Sequence, residues 1–489
     1  MDLRHQKYTE QPLVKTKIIA TVGPACAQQE QLKSLALAGA DIFRLNFAHG
    51  NHEWLANVVQ TIRNVSHELK RPIGILGDLS GPKIRLGLLP EGGICCVLGG
   101  EFDFVQTADP NDPTKLTSTY KQLIDDLQID DRVLLADGVV GMRVIAKDPD
   151  AKWVRCVVEQ PGCIRSRQGI NLPGVNLSTP CLTEKDYADL KWGVEQELDY
   201  LGLSFVRRAE DVLQLREAIS ECNPEFPPAI VAKIEKYEAI DDLERILQST
   251  DAVMVARGDL GVEVDLPRVP ILQKQIIKCC KEHRIPVITA TQMLESMHTS
   301  ELPTRAETSD VANAVLDGSD AVMLSGETAI GNYPVAAVSM MSRICLEAEK
   351  LVKPFDVTET PTDQHQYAKI ITEAVTLGAG AAAENLNADL IVVATHSGRT
   401  ALALSKQRKQ VPILALSDMA STARRMCLFW GVTPLETQAV HLPSDRMLHH
   451  IVEWGKKHEI LESGSRLVLV GQTDWSEAGH DQMLVHVVP

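Results

Sequence analysis

The chain has 489 residues, enough for about three domains of roughly 150 residues each. Its 49 Lys and Arg against 65 Asp and Glu leave a net charge of −16, which argues against nucleic acid or an anionic membrane as the main partner but leaves room for a local cationic pocket. Eleven scattered cysteines without a C-x-x-C spacing speak against a disulfide scaffold and for a reducing compartment, and no apolar run nears the ~20 residues that span a bilayer, so the chain is expected to be cytoplasmic.

Short apolar, β-branched runs alternate with longer amphipathic stretches. The runs are Lys17–Gly23, Asp41–Phe47, Pro72–Asp78, Tyr200–Val206, Ala229–Glu235, Ala252–Asp259, Pro286–Gln292 and Asp320–Glu327. Near-continuous apolar strands suit a parallel sheet covered on both faces, and eight β–α units in series predict an α/β fold built on a closed (β/α)₈ barrel. A doubly wound open sheet is the alternative. The expected barrel covers residues 1–86 and 181–350. The interval 87–180 carries short strand patterns and turn residues and is expected to be an inserted β-rich lid. A polar, Pro-containing linker at 353–366 leads to an expected C-terminal α/β regulatory domain at 351–489.

The strand ends are chemically unusual. Arg44 and Asn46 end the second; Asp78, Lys83 and Arg85 follow the third. Lys233 and Glu235 end the fifth, Arg257 and Asp259 the sixth, Thr291 and Gln292 the seventh, and Ser325 and Glu327 the eighth. In a barrel these converge on one rim, where charged groups read as catalytic. Glu235 and Asp259 offer the hard oxygen ligands that Mg²⁺ (or Mn²⁺) takes, and Arg44, Arg85 and Lys233 offer positive charge to phosphate oxygens. Phosphoryl transfer is catalysed chiefly by such positioning and charge neutralisation. No P-loop motif is present. Gly258, in ARGDLG, allows a tight turn whose free N–H groups suit a carboxylate.

Seven stretches carry a resemblance: RLNFAHG (44–50), SGPKIR (80–85), GINLPG (169–174), VAKIEK (231–236), VMVARGDLGVE (253–263), ATQMLESM (290–297) and the long run 303–331. In this order and over essentially the whole chain they resemble the pyruvate kinase family. The resemblance implies transfer of the phosphoryl group of phosphoenolpyruvate to ADP, giving pyruvate and ATP in glycolysis. It implies that Glu235 and Asp259 hold the divalent metal, and that Lys233 and Arg44 hold the transferring phosphate. Gly258, Asp259 and Thr291 would hold the substrate carboxylate. Thr291, Ser325 and Glu327 would lie on the path of the proton that the enolate takes up. Asn46, His49, Arg85, Lys185 and the lid residue Asp137 would meet the nucleotide. A homotetramer is the family's usual assembly.

Three positions depart from the common family pattern. Where a monovalent-cation site would have Ser, Thr and Glu, this chain has Ala48, Leu79 and Lys83, beside Asn46 and Asp78. A buried Asp78 without a cation costs about 3–5 kcal/mol, and the Lys83 ammonium is expected to supply that charge. The chain thus resembles the K⁺-independent branch of the family, and K⁺ is expected not to be required. In the last domain Thr395, Ser397, Gly398, Arg399 and Thr400 form a strand-to-helix turn. It reads either as a cradle for a phosphorylated allosteric effector or as a capped helix start. The second part of such an effector site falls at 472–480, an acidic loop without Lys or Arg, so a monophosphate is the expected ligand. A Mg²⁺-dependent lyase or aldolase acting on an enolate is the competing enzyme class; it has no use for ADP. A catalytically dead sensor would have lost one of Lys233, Glu235, Asp259 or Thr291, and all four are present.

Overall fold

A computed structural model describes residues 14–107, 112–148, 150, 152–175, 177–354, 370–457, 459–471 and 480–489. Most of the expected linker at 353–366 and of the acidic loop at 472–480 lies outside the described residues.

Eight parallel strands close into a barrel: Lys17–Thr21, Ala40–Asn46, Gly74–Asp78, Tyr200–Leu203, Ala229–Ile234, Ala252–Ala256, Val287–Ala290 and Ala321–Leu324. The eighth returns to the first, with Ile18 beside Val322. Successive residues point to opposite faces. Ile18, Phe43, Ile75, Ile230 and Val253 pack outward in the main cluster with the surrounding helices. Ile19, Ile42, Leu76, Val231, Met254, Ile288 and Met323 fill the barrel floor. Two residues further along five of these inward rows the character changes. Ile19 gives way to Thr21, Ile42 to Arg44, Leu76 to Asp78, Val231 to Lys233 and Met323 to Ser325. The period of two that buries the floor therefore builds the polar rim. Helix starts are fixed by side-chain caps, Asn51 for His52–Leu69 and the capping boxes Thr183/Asp186 and Thr304/Glu307.

Between the third and fourth barrel strands lies a mainly antiparallel six-stranded sheet that includes Glu101–Val105, Arg132–Leu135, Val140–Asp148 and Trp153–Gln160. It has its own core around Phe104, Leu116, Val133 and Val154. In a smaller ribbon, Ile94–Cys96 pairs with Gly162–Ile164, and Cys95 and Cys163 are joined by a disulfide. Cysteine spacing gave no sign of this pair: the two residues lie 68 apart in sequence but face each other across two strands. The bond is a local cross-strand link, and Cys26, Cys156, Cys280 and Cys345 stay free and buried.

The last domain is a five-stranded sheet with Leu390–Ala394 at its centre. Ile413–Ser417 and Val432–Glu436 lie on one side, Arg466–Gly471 and the antiparallel Gln482–Val487 on the other. It docks under the barrel floor. Lys406 and Arg408 reach Asp320, at 2.7 and 3.0 Å, at the root of the eighth barrel strand; Arg424 reaches Asp199 at 2.6 Å before the fourth. Cys427 and Leu428 complete the floor cluster. No helix among the described residues is long and apolar enough to cross a membrane.

Candidate active site

At the rim, one buried carboxylate organises two cations. Asp78 accepts from Arg44 Nε at 2.7 Å and lies 3.2 Å from Lys233 Nζ. Lys233 also contacts Glu235 at 2.9 Å and donates to the Ser204 hydroxyl at 2.7 Å. Gly202 makes the room: a Cβ there would stand 3.0 Å from Asp78 Oδ1. Burial pushes the Asp78 carboxyl up, but the charges of Lys233 and Arg44 outweigh it and hold the group below the ordinary carboxylate value. Burial likewise works against the Lys233 charge, and Asp78 and Glu235 more than restore it, so its pKa is raised. Glu235 is raised by burial and by the nearby charge of Asp259, against the pull of Lys233. Two carboxylates that repel each other, one buried and one partly exposed on the first turn of Arg257–Glu263, fit a hard divalent cation.

Thr291 stands at the end of the seventh strand with φ 66°, a backbone region unfavourable for a β-branched residue. Its hydroxyl accepts from the Gly258 N–H at 2.8 Å and donates to the Ala290 carbonyl at 2.6 Å. The turn is held by Arg257, whose guanidinium donates to the Thr291 carbonyl at 2.7 Å and the Gln292 carbonyl at 3.2 Å and pairs with Asp310 at 2.6 Å. Sequence reading registered Arg257 only as a polar strand end; a buried anchor for three consecutive carbonyls is visible only when strands six and seven are side by side. Glu327 is buried and clasps the next two loops, accepting from Leu294 N–H at 3.1 Å and Ser325 N–H at 2.7 Å.

Beside Arg44 opens a cleft of about 490 Å³ lined by Thr21, Pro24, Asn46, His49, Ser325 and Ile330, with Trp54 on its wall. Trp54 was legible only as the start of a helix; its place on the cleft wall gives a flat apolar face of the kind a nucleobase stacks on.

The other expected nucleotide residues divide. Gly169 of the inserted segment sits between Asp137 and the rim: a Cβ there would lie 3.2 Å from Asp137 Oδ1 and 3.5 Å from Lys83 Cε. Lys185 is engaged already, donating to the Phe47 carbonyl at 2.7 Å and to Asp189 at 2.5 Å. Arg85 donates to the Arg167 carbonyl at 3.2 Å and makes no ion pair with the Asp78 group. Lys83 corrects an expectation. It lies 3.9 Å from Asp259 and makes no ion pair with Asp78, whose charge Arg44 and Lys233 already balance.

Residues 13–338 match the family described as "Pyruvate kinase, barrel domain", and 373–486 match "Pyruvate kinase, alpha/beta domain". The chain belongs to the pyruvate kinase family. It is 39% identical over 475 residues to a pyruvate kinase of Geobacillus stearothermophilus, covering 97% of this chain and 80% of that one. It is 41% identical over 474 residues to pyruvate kinase 2 of a Synechocystis strain, covering 96% and 78%. A solved pyruvate kinase from Cryptosporidium parvum superposes with a TM-score of 0.89 at 34% identity, over 99% of each chain. Pyruvate kinases are phosphotransferases, and the enzyme class of this chain follows from that membership.

In the C-terminal domain of this pyruvate kinase family member, the turn after Leu390–Ala394 is only partly open. Thr395 Oγ1 accepts from the Gly398 N–H at 3.0 Å, and Thr400 Oγ1 bonds the buried His480 Nδ1 at 2.9 Å. Burial lowers the His480 pKa, keeping the ring neutral. Gly398, with φ 80°, is the cap residue, and no side chain caps the helix. Ser397 and Arg399 remain exposed and face a cleft of about 380 Å³ shared with Arg216, Arg284 and Arg425.

Proposed function

We propose that this chain transfers the phosphoryl group of phosphoenolpyruvate to ADP through the Arg44–Asp78–Lys233–Glu235 cluster. The observation that carries the reading is Asp78 gripping Arg44 and Lys233 at once. Both cations are thereby fixed before substrate arrives, so their field on the transferring phosphoryl oxygens costs little reorganisation. The Gly258 N–H and the Thr291 hydroxyl hold the substrate carboxylate. Glu235 and Asp259 hold Mg²⁺ or Mn²⁺, which when bound neutralises phosphate charge. His49, Asn46 and Trp54 border the nucleotide, and Asp137 closes over it from the lid. Thr291, Ser325 and Glu327 deliver the proton that turns enolate into pyruvate. Arg85 and Lys185 reach the nucleotide phosphates by leaving their present carbonyl partners.

The same reading assigns independence from K⁺. Ala48 carries no hydroxyl to ligate the ion, and Asp78 has two protein cations already. It assigns a phosphorylated effector to Thr395–Thr400, a homotetrameric assembly and a cytoplasmic location. A coupled assay of pyruvate formation from phosphoenolpyruvate and ADP tests the core of it. Activity should require Mg²⁺ or Mn²⁺ and fall by about 10³-fold or more in Lys233→Met, since the charge lost lies on the reacting group. A Lys233→Met enzyme with near-normal turnover would overturn the reading.

A further inference from the structure

The reaction proposed above consumes one proton per turnover, and Glu327, the innermost acid on that path, is 1% exposed. A buried acid needs a route to water. Behind it lies a residue that no part of the mechanism uses. His298 ends the short turn Glu295–His298, and its ring is 27% exposed. Its Nε2 faces inward, buried and without a hydrogen-bond partner, 4.0 Å from Glu327 Oε2. The hydroxyl of Ser325 is likewise buried and unpartnered. Two proton-carrying atoms are thus orphaned here, one 4.0 Å from the Glu327 carboxylate and one on the residue whose N–H that carboxylate accepts, where buried polar atoms are ordinarily paired.

Gly326 explains how the ring gets there. A Cβ at that position would stand 2.3 Å from His298 Cε1 and Nε2, so a larger residue would displace the imidazole from this position. The same Gly326, with Ser325, lines the cleft that Arg44 enters. One glycine backbone separates the imidazole from the active-site cleft. The charged groups facing the ring among the described residues are Glu295 on its own turn, at 3.9 Å, and Glu327 from the turn after the eighth strand.

We propose that His298 is the solvent-side member of a proton path, water to His298 to Glu327 to Ser325, that supplies the methyl proton of pyruvate. The ring takes a proton from water on its exposed edge and gives the Nε2 proton to Glu327 Oε2. The Glu327 proton passes by the Ser325 hydroxyl to the terminal carbon of the enolate. Closing 4.0 Å to hydrogen-bond length takes a side-chain shift of about 1 Å. A proton enters at one end and one C–H bond forms at the other, so charge and atoms balance. His298 touches no substrate; it acts through Glu327. The inference rests on the proposed reaction, and its test separates the two.

The test uses the full chain and His298→Gln and His298→Ala. Phosphoryl transfer is read as ATP formed in an acid-quenched single turnover. Proton transfer is read as exchange of pyruvate methyl hydrogens with D₂O in the presence of Mg²⁺ and ATP. In His298→Gln, exchange should slow about tenfold or more, short of the full worth of a positioned acid because water also reaches the path. Single-turnover ATP and the KM for phosphoenolpyruvate should stay within about twofold, and imidazole should restore exchange in His298→Ala, the rescue that positioned acid–base groups allow. Three results would overturn the proposal: unchanged exchange in both variants; exchange and ATP formation falling together without imidazole rescue; or inhibition of the unmodified enzyme by low Zn²⁺ that His298→Gln abolishes, which makes Glu295, His298 and Glu327 a metal site. A chain that forms no ATP from phosphoenolpyruvate and ADP in any variant refutes the reaction itself.

Discussion

Asp78 shows how a single residue's partners bear on a cofactor question. Read along the chain, it was a carboxylate in need of a cation, with Lys83 five residues away as the nearest candidate. In the fold, Arg44 comes from a neighbouring strand and Lys233 from the next strand but one, and Lys83 turns toward Asp259. The proposed absence of a K⁺ requirement therefore rests on a different physical basis from the one expected. Steady-state rates in K⁺-free, NH₄⁺-free buffer should change by less than about twofold on adding KCl, since no vacant charge awaits the ion. Strong stimulation would mean that Asp78 is under-compensated when substrate draws Arg44 and Lys233 away. Lys83→Glu should introduce a K⁺ response by adding a carboxylate where a cation was.

At the scale of elements, the loops after strands six, seven and eight form one assembly. Arg257 ties six to seven, and Glu327 ties seven to eight. Arg257 does so by satisfying carbonyls of residues held at positive φ, Thr291 and Gln292, so the strained turn persists because its surroundings fix it. Replacing Arg257 by Leu should cost about 10²-fold in kcat/KM for phosphoenolpyruvate through misplacement of the Thr291 hydroxyl, with a smaller effect on nucleotide KM. Equal losses toward both substrates would argue for general unfolding instead. The motifs ATQ and SGET were legible as strand ends with functional residues. The clasp between them was not, because side chains 33 residues apart carry no shared periodicity.

For the whole molecule, the barrel floor and the C-terminal sheet are joined through buried charge. Asp320 is fully buried with Lys406 and Arg408. Burial alone would raise its pKa; Arg408 and Lys406 hold it below the ordinary Asp value instead. Such a group contributes stability that is complete above the unfolded pKa of about 3.9 and lost as pH falls through the lower folded value. Asp320→Asn removes the buried carboxylate that Lys406 and Arg408 share and should lower stability by about 3–5 kcal/mol near neutral pH. Denaturant titration should register the loss at pH 7, with the difference from the unmodified chain shrinking in strong acid. A constant difference down to low pH would show that packing, not charge, sets the cost.

By itself the sequence determined the eight-strand alternation, the interruption after the third strand and the charged residues at successive strand ends. These follow from a two-residue side-chain period and from turn chemistry, which act over a few residues and are written locally. Only the tertiary structure decided which groups meet: Asp78 with two cations, Lys83 with Asp259, Cys95 with Cys163, His298 behind Glu327, and Asp320 with Lys406 and Arg408. Coulomb and hydrogen-bond energies depend on separations of a few ångströms, and closing a barrel sets those distances between residues tens to hundreds of positions apart.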